Sequence, residues 1–427
     1  MLLGATGLIG SAVAARLRAE GHEVIGAGRS LDAAARRVPV AEWREIDLRA
    51  MLRIEDWRPC LAGVEAVVNS AGALQDGPRD ALGAVHRDAP TALWRACAEA
   101  GIRRIIQVSA IGVDRGGLTA FSRSKREGDA ALEASGLDWV VLRPSVVVGA
   151  PAYGGSALLR GLAALPFLPR IPDAGPIDVV QLDDVAETVA RLLRPGAPSR
   201  VALELTGPER LTFAEIVAAY RRWLGWRPAR EIRVPGLLLD LGWRLSDMIA
   251  WLGWRPPLRS TARRELARGA IGDNVEWKRL TGIEPQALGE ALAARPASVQ
   301  ERWFARLFLL KPLAIGGFAL FWLISGLVSL GPGWEQALAT MRATPAAFWS
   351  ELAVGGGALL DLLIGAAMIF RRTAKPALLA ALAASLLYVM LGSLLAPSLW
   401  ADPLGPLMKV VPILLFNLLC LAIVDER

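Results

Sequence analysis

Apolar positions follow two regimes along this chain. From residue 1 to about 295, short apolar runs alternate with stretches of helical spacing, and from about 305 to 427 long uncharged runs take over. Met1, Leu2 and Leu3 lead into a glycine turn; beyond it Val13, Ala14 and Leu17 share one side of a helix while Arg16, Arg18 and Glu20 share another. Residues 22–27 (HEVIGA) read as a second strand, residues 45–48 end a third, residues 64–68 (VEAVV) form a buried fourth, and residues 104–109 (RIIQVS) a fifth ending on a serine. A helix over about 91–100 precedes the fifth strand. Strands alternating with helices predict a parallel α/β sheet. A strand usually has about five or six residues, so either the first strand is short or the chain starts upstream.

In the last quarter, residues 313–330 carry no charge, 352–370 carry one (Asp361), and 377–395 and 410–424 carry none. The last run extends toward Leu404 if Lys409 snorkels. Water-soluble helices seldom stay apolar so long, and about 17–25 residues span a bilayer. The pattern predicts an all-α bundle of four transmembrane helices, about 313–330, 352–370, 377–395 and 406–424. Arg302, Arg306 and Lys311 precede the first, and Arg371, Arg372 and Lys375 separate the second from the third; the other loops hold only Arg342 and Lys409. By the positive-inside rule, the N-terminal domain and the C-terminus are cytoplasmic, with Trp334, Trp349 and Trp400 near the opposite interface. Over residues 237–254 apolar residues recur at helical spacing, interrupted by Asp240, Arg244 and Asp247. That suits a helix packed in the first domain, one capping a pocket, or one lying on a bilayer.

Composition agrees with a membrane chain. Apolar residues make up 53% and mean hydropathy is +0.38, above the usual soluble range. The net charge of +7 is scattered arginine without an aromatic-basic motif, so it fits membrane flanks better than nucleic acid. Cys60, Cys97 and Cys420 are odd in number and far apart, which argues against a disulfide framework or a metal site. The glycine turn begins too early to leave room for a cleavable signal peptide.

The chemistry starts at Gly4-Ala5-Thr6-Gly7-Leu8-Ile9-Gly10. Three glycines three apart, between a strand and a helix, suit a phosphate cradle: Gly4 for the tight turn, Gly7 for backbone approach to a pyrophosphate, Gly10 for close helix packing. The second strand ends at Gly28-Arg29-Ser30, with Arg36 and Arg37 nearby. A guanidinium at that tip suits a 2′-phosphate, so NADP(H) is favoured over NAD(H); the alternative is a solvated turn arginine. The fourth strand runs into Asn69-Ser70-Ala71-Gly72, small enough to lie along a cofactor.

Taken in order, GATGLIG, Asn69-Ser70-Ala71-Gly72, Ser109, Lys125 and Leu142-Arg143-Pro144-Ser145 resemble a short-chain dehydrogenase/reductase, and within it the atypical branch of NmrA-like proteins and the 39-kDa accessory subunit of respiratory complex I. The resemblance covers about residues 1–295, with substrate-side segments near 145–180 and 200–290. It implies a Rossmann-type sheet with a small substrate domain. It also implies that Gly4, Thr6, Gly7, Leu8, Ile9 and Gly10 hold pyrophosphate, that Arg29 reads the adenosine ribose, and that Asp47 and Leu48 lie by the adenine. Ala71 and Gly72 would lie against the cofactor, Lys125 would hold the nicotinamide ribose, and Pro144 would precede the nicotinamide contacts. Active members pair a serine with a tyrosine and lysine four apart. Here Ser109 and Lys125 are present, but Phe121 stands at the tyrosine position, and a phenyl ring has no proton to exchange. Ser109 reads equally well as a strand-end hydroxyl. Two functions stay open: an NADP(H)-dependent oxidoreductase with an unusual proton donor, or a dinucleotide-binding structural or sensing module.

Gly355-Gly356-Gly357 with Asp361, and Trp400-Ala401-Asp402-Pro403-Leu404-Gly405-Pro406 with Lys409, resemble the DoxX-like four-helix membrane proteins over about 305–427. A carboxylate at membrane depth is costly, so Asp361 faces the bundle interior or is protonated. It pairs with Lys409, contacts a small polar ligand or a quinone, or serves as a polar contact between helices. A bilayer is thus the first expected partner, then a quinone or other lipophilic substrate, then a membrane protein. The Ala-, Arg- and Leu-rich composition points to a bacterial inner membrane.

Overall fold

The computed structural model of the chain describes residues 1–29, 38–77, 81–117, 119–171, 173–254 and 256–425; Arg36 and Arg37 lie outside the described residues. Met1–Asp247 with Pro256–Ala305 form one compact unit, and Met248–Arg255 with Arg306–Arg427 a second.

The first unit is organised by seven parallel strands: β1 (Leu2–Leu3), β2 (Ile25–Gly28), β3 (Glu42–Glu45), β4 (Ala66–Asn69), β5 (Arg104–Val108), β6 (Asp138–Pro144) and β7 (Val201–Leu205). Their spatial order is β7-β6-β5-β4-β1-β2-β3. β1 lies between β2 and β4, so the order reverses there and a crevice opens at the carboxyl ends of β1 and β4. β1 has only two residues, but each is paired on both sides, Leu2 with Gly26 and Val68, Leu3 with Ala27 and Asn69. The strand alternation sends them to opposite faces. Leu2 packs with Val13, Ala14 and Leu17 of α1 (Leu8–Ala19) and with the helix Leu182–Leu192. Leu3 joins Leu93, Trp94 and Cys97 of α2 (Ala89–Glu99) and Leu132 of α3 (Ala120–Glu133). Strand limits differ from the pattern by up to three residues. β3 stops at Glu45; Ile46 and Leu48 are buried outside the ladder.

Among the described residues, three helical segments are long and apolar enough to cross a membrane: Val299–Leu330, which begins in the first unit and runs through the second, and Ala347–Ile369 and Ala374–Leu395 in the second. The first is one continuous helix of 32 residues with Pro312 inside it, so the expected span over 313–330 is its second half. The expected fourth span, 406–424, is corrected to Val410–Val424, 15 residues. Residues 406–409 are turn, because Pro403, Gly405 (φ +57°) and Pro406 break regular structure ahead of it. At 1.5 Å per residue such a helix is about 22 Å long, short of the roughly 30 Å hydrocarbon core. A further helix, Trp334–Arg342, occupies the loop after the first span; its Glu335, Gln336 and Arg342 hid it among loop residues.

Candidate functional site

Two loops meet at the crevice. After β1 the chain turns at Gly4 with φ +73°, where a Cβ would lie 2.7 Å from the Ala71 nitrogen in the loop after β4. Gly7 then caps α1 in an extended conformation, with no side-chain cap and no acid in the first turn. The first N–H groups of a helix have no acceptor within it, so those of Leu8, Ile9 and Gly10 are presented at the crevice with the positive end of the helix dipole. A Cβ on Gly10 would run into the Gly4 carbonyl and stand 2.8 Å from Ser70 Oγ. The second loop is braced from below. Ser70 Oγ donates to Leu3 O (2.7 Å), Ala71 N to Asn69 Oδ1 (3.1 Å), and Asn69 Nδ2 to Gln107 Oε1 (2.8 Å). An uncapped, electropositive helix start against a rigid glycine turn fits a diphosphate.

Beside the end of β2, Thr6 is exposed and its methyl is 3.7 Å from where a Gly28 side chain would begin. Arg29 is exposed at the tip of β2. Asp47 accepts from Arg49 Nη2 (2.5 Å), and this bond, with help from the nearby Arg29 charge, holds its carboxyl below the usual range. Leu48 beside it is buried.

The opposite side of the crevice belongs to α3. Thr119 caps it by accepting from Ser122 N (3.2 Å). Lys125 points inward, buried, and donates to Val108 O at the end of β5 (2.8 Å). Its Nζ is 3.4 Å from where a Gly72 side chain would start, so Lys125 and the Ala71–Gly72 loop are brought together. Burial lowers the Lys125 ammonium to about 8, opposed by the charge of Asp129 one turn on. Ser109 Oγ donates to Asp129 Oδ2 (2.7 Å). Asp129 is fully buried, and that burial raises it to about 6 against the Ser109 hydrogen bond and the charges of Lys125 and Arg143. Arg143 Nε is 3.6 Å from Asp129, and its Nη1 donates to Asp114 (2.5 Å). Pro144 closes β6, buried.

His86 is the residue sequence reasoning passed over. It is buried; Nε2 accepts from Ala73 N (3.1 Å), so Nδ1 carries the proton and donates to Ser124 Oγ (2.8 Å). Ser124 in turn donates to Phe121 O (2.9 Å). The His86 and Phe121 rings meet edge to face, centroids 5.6 Å apart. Burial, then the Lys125 charge, lowers His86 to about 2, so it stays neutral. Gly128 makes this possible: a Cβ there would strike the His86 carbonyl. Asp129 had a local signal, four residues after Lys125 on one helix face. His86 had none, nor did Glu265, which accepts from Thr119 Oγ1 (2.5 Å) and Ser122 Oγ (2.8 Å) at the start of α3.

Within the second unit, Asp361 is buried and accepts from Ser325 Oγ (2.8 Å) and Tyr388 OH (2.8 Å), one donor from each neighbouring spanning helix. The expected partner Lys409 is corrected: it is exposed in the turn before Val410–Val424. Hydroxyl donors at the depth of Asp361 satisfy both of its oxygens.

Residues 4–194 match a family described as NAD(P)H-binding, and residues 319–418 match the DoxX-like family. Among curated relatives, a (4-alkanoyl-5-oxo-2,5-dihydrofuran-3-yl)methyl phosphate reductase of Streptomyces griseus is 31% identical over 54% of this chain and 75% of its own. Sterol demethylase protein B of Methylococcus capsulatus is 27% identical over 71% of this chain and 98% of its own. A ceramide reductase of Caulobacter vibrioides is 25% identical over 55% and 73%. Of solved structures, the NADPH-dependent quinone oxidoreductase QOR2 of Escherichia coli with NADPH superposes with a TM-score of 0.53 at 19% identity, covering 69% of this chain and 98% of that one. The Bordetella bronchiseptica enzyme WbmG with NAD superposes at 0.54 and 17%, covering 72% and 95%. These two likenesses show the fold.

Proposed function

From a chain that belongs to an NAD(P)H-binding family and carries a DoxX-like domain, we propose a membrane-held reductase of the atypical short-chain dehydrogenase/reductase kind that uses NADPH on a lipophilic carbonyl compound or quinone. The observation that carries this reading is Lys125, an ammonium kept out of water beside the Gly72 loop and lowered to about 8. Perturbed, buried cations of this kind gather where chemistry is done. Two relatives bear the names of lipid-directed proteins, a ceramide reductase and a sterol demethylase component, and the three apolar helices mark this chain as a membrane protein.

Bound NADPH supplies a hydride. The α1 start and its glycine turn would hold the diphosphate, Arg29 would meet the 2′-phosphate, Asp47 and Leu48 would flank the adenine, Ala71 and Gly72 would line the cofactor, and Pro144 would border the nicotinamide side. Phe121 has no proton to give. His86 is neutral at pH 7, Asp129 is ionised above about 6, and Arg143 does not release its proton. Of these groups the Lys125 ammonium, lowered to about 8, is the one assigned as acid for the substrate oxygen, while Asp129 orients Ser109 through its hydrogen bond. The flanking Arg302, Arg306, Arg371 and Arg372 support a cytoplasmic placement of this domain, and the Ala-, Arg- and Leu-rich composition supports a bacterial inner-membrane setting.

The test is NADPH oxidation by the full chain in lipid nanodiscs with a panel of quinones and long-chain ketones. Wild type turns over at least one, and Lys125→Ala lowers the rate by about 10²-fold or more, the scale of a lost general acid. Phe121 favours a second reading, a dinucleotide-binding module without redox chemistry. NADPH binding with no turnover across the panel would select it. A separate expectation concerns the cofactor: Arg29→Ala weakens NADPH by about tenfold, the scale of a charged hydrogen bond, and leaves NADH nearly unchanged. Equal losses for both cofactors in titration calorimetry rule out the 2′-phosphate role.

A further inference from the structure

We propose that the helix Gly236–Trp251 lies in the lipid–water interface with one apolar face against the acyl chains. This rests on the membrane reading of the DoxX-like domain. Leu237, Leu238, Leu241, Leu245, Met248 and Trp251 fall on one side of the helix at its 100° spacing, and all are exposed, Leu237 at 80%, Met248 at 65% and Trp251 at 68%. Isolated exposed leucines need no explanation; a continuous stripe does. The other side is occupied. Trp243 and Ala250 are buried. Along the edge of the stripe, beside Trp251, Asp247 accepts from Gln75 Nε2 (3.3 Å) and Ser260 N (3.4 Å), and Asp240 pairs with Arg263.

The occupant follows from where the helix ends. Within the second unit, Trp254 Nε1 donates to Ile369 O (2.8 Å) and Arg371 N donates to Leu252 O (3.0 Å). The Arg371 guanidinium lies 5.5 Å from the Trp254 ring centre. Ile369 is the last residue of the spanning helix Ser350–Ile369, and Arg371, Arg372 and Lys375 follow it. The end of a spanning helix followed by a basic cluster marks the headgroup level. Leu252, one residue past Trp251, is therefore held at that level, and the exposed stripe continues from it. A helix with apolar residues on one face and charges on the other binds in the plane of such a boundary. Arg244, inside the stripe, is long enough to snorkel to headgroups.

The test uses the full chain with Cys60→Ser, leaving Cys97 and Cys420 buried. An environment-sensitive fluorophore is placed at Leu241→Cys or, independently, at Leu237→Cys, with Leu359→Cys on a spanning helix as the reference. Nanodiscs are prepared with and without lipids carrying a nitroxide, placed near the headgroup to read the two helix positions and at mid-chain to read Leu359, which lies about 15 Å from the Ile369 end of its helix. The expected result is blue-shifted emission and about twofold or greater quenching by nitroxide at both helix positions. Quenching at Leu359 with none at either helix position overturns the inference and leaves the membrane reading standing. A blue shift without nitroxide quenching overturns it too, in favour of a protein occupant such as a second copy. No quenching at Leu359 removes the membrane reading and the inference with it.

Discussion

A Gly10→Ala chain is expected to bind NADPH at least about tenfold more weakly than wild type, a loss of about 1.4 kcal/mol or more. The added Cβ meets the Gly4 carbonyl, with Gly4 C at 2.7 Å and Ser70 Oγ at 2.8 Å. Its nearest neighbour is backbone, so either α1 moves out or the turn moves, and both carry the N–H groups assigned to the diphosphate. Overpacking of this kind also costs about 1–3 kcal/mol of stability. Two other glycines calibrate the effect. At Gly7 the Cβ meets only Gly4 O, at 3.2 Å, and at Gly289, on the helix Leu288–Ala294, it meets nothing within 4 Å. The expected order of affinity loss is Gly10→Ala above Gly7→Ala, with Gly289→Ala unchanged. Calorimetric titration with NADPH measures it. An affinity for Gly10→Ala within twofold of wild type would remove the assigned cradle.

Asp129→Asn is expected to make the protein more sensitive to acid and more stable at neutrality. Asp129 is raised to about 6 in the fold by burial, above its unfolded value. Its contribution is fully present below about pH 4 and is lost as pH rises through about 6. His86 is lowered to about 2, first by burial and then by Lys125. Its contribution is present above about pH 6.5, the unfolded value, and falls as pH drops below it. Between about pH 4 and 6 the two slopes, each about 1.4 kcal/mol per pH unit, cancel. With asparagine at 129 only the His86 slope is left. The variant should exceed wild type by about 2–3 kcal/mol at pH 7 and match it near pH 4. The readout is the difference in thermal unfolding temperature between variant and wild type in one detergent across that range. A difference that stays constant with pH means Asp129 titrates no differently in the folded and unfolded chains.

Much of the architecture was legible because it rests on local rules. The glycine spacing with a strand before and a helix after announces the turn, and the uncharged runs of the last quarter announce membrane helices. The site was legible only in part. Lys125 and Ser109 could be picked out from motif order, but the buried acid linking them, Asp129, gave no more than a helical spacing. His86 reaches the site because Gly128 lets residues 84–88 pack against α3, and no pattern near residue 86 records a contact some 40 residues away. Asp361 faces inward and makes polar contacts between helices, as two of its readings had it; only the pairing with Lys409 failed, for a related reason. Lys409 supplies a charge of the right sign, but Ser325 and Tyr388 supply donors at the right depth.

The amino-acid sequence alone determined the parallel sheet, the dinucleotide turn, the phenylalanine where a tyrosine is usual, and the greasy tail, since each depends on periodicity or on residues adjacent in the chain. Tertiary structure decided which groups are charged and which surfaces are left uncovered. The neutrality of His86, the raised Asp129 and lowered Lys125, and the bare stripe of Gly236–Trp251 all come from what is packed around them. Desolvation and partner geometry are set by segments distant in the chain, and they exist only once those segments have met.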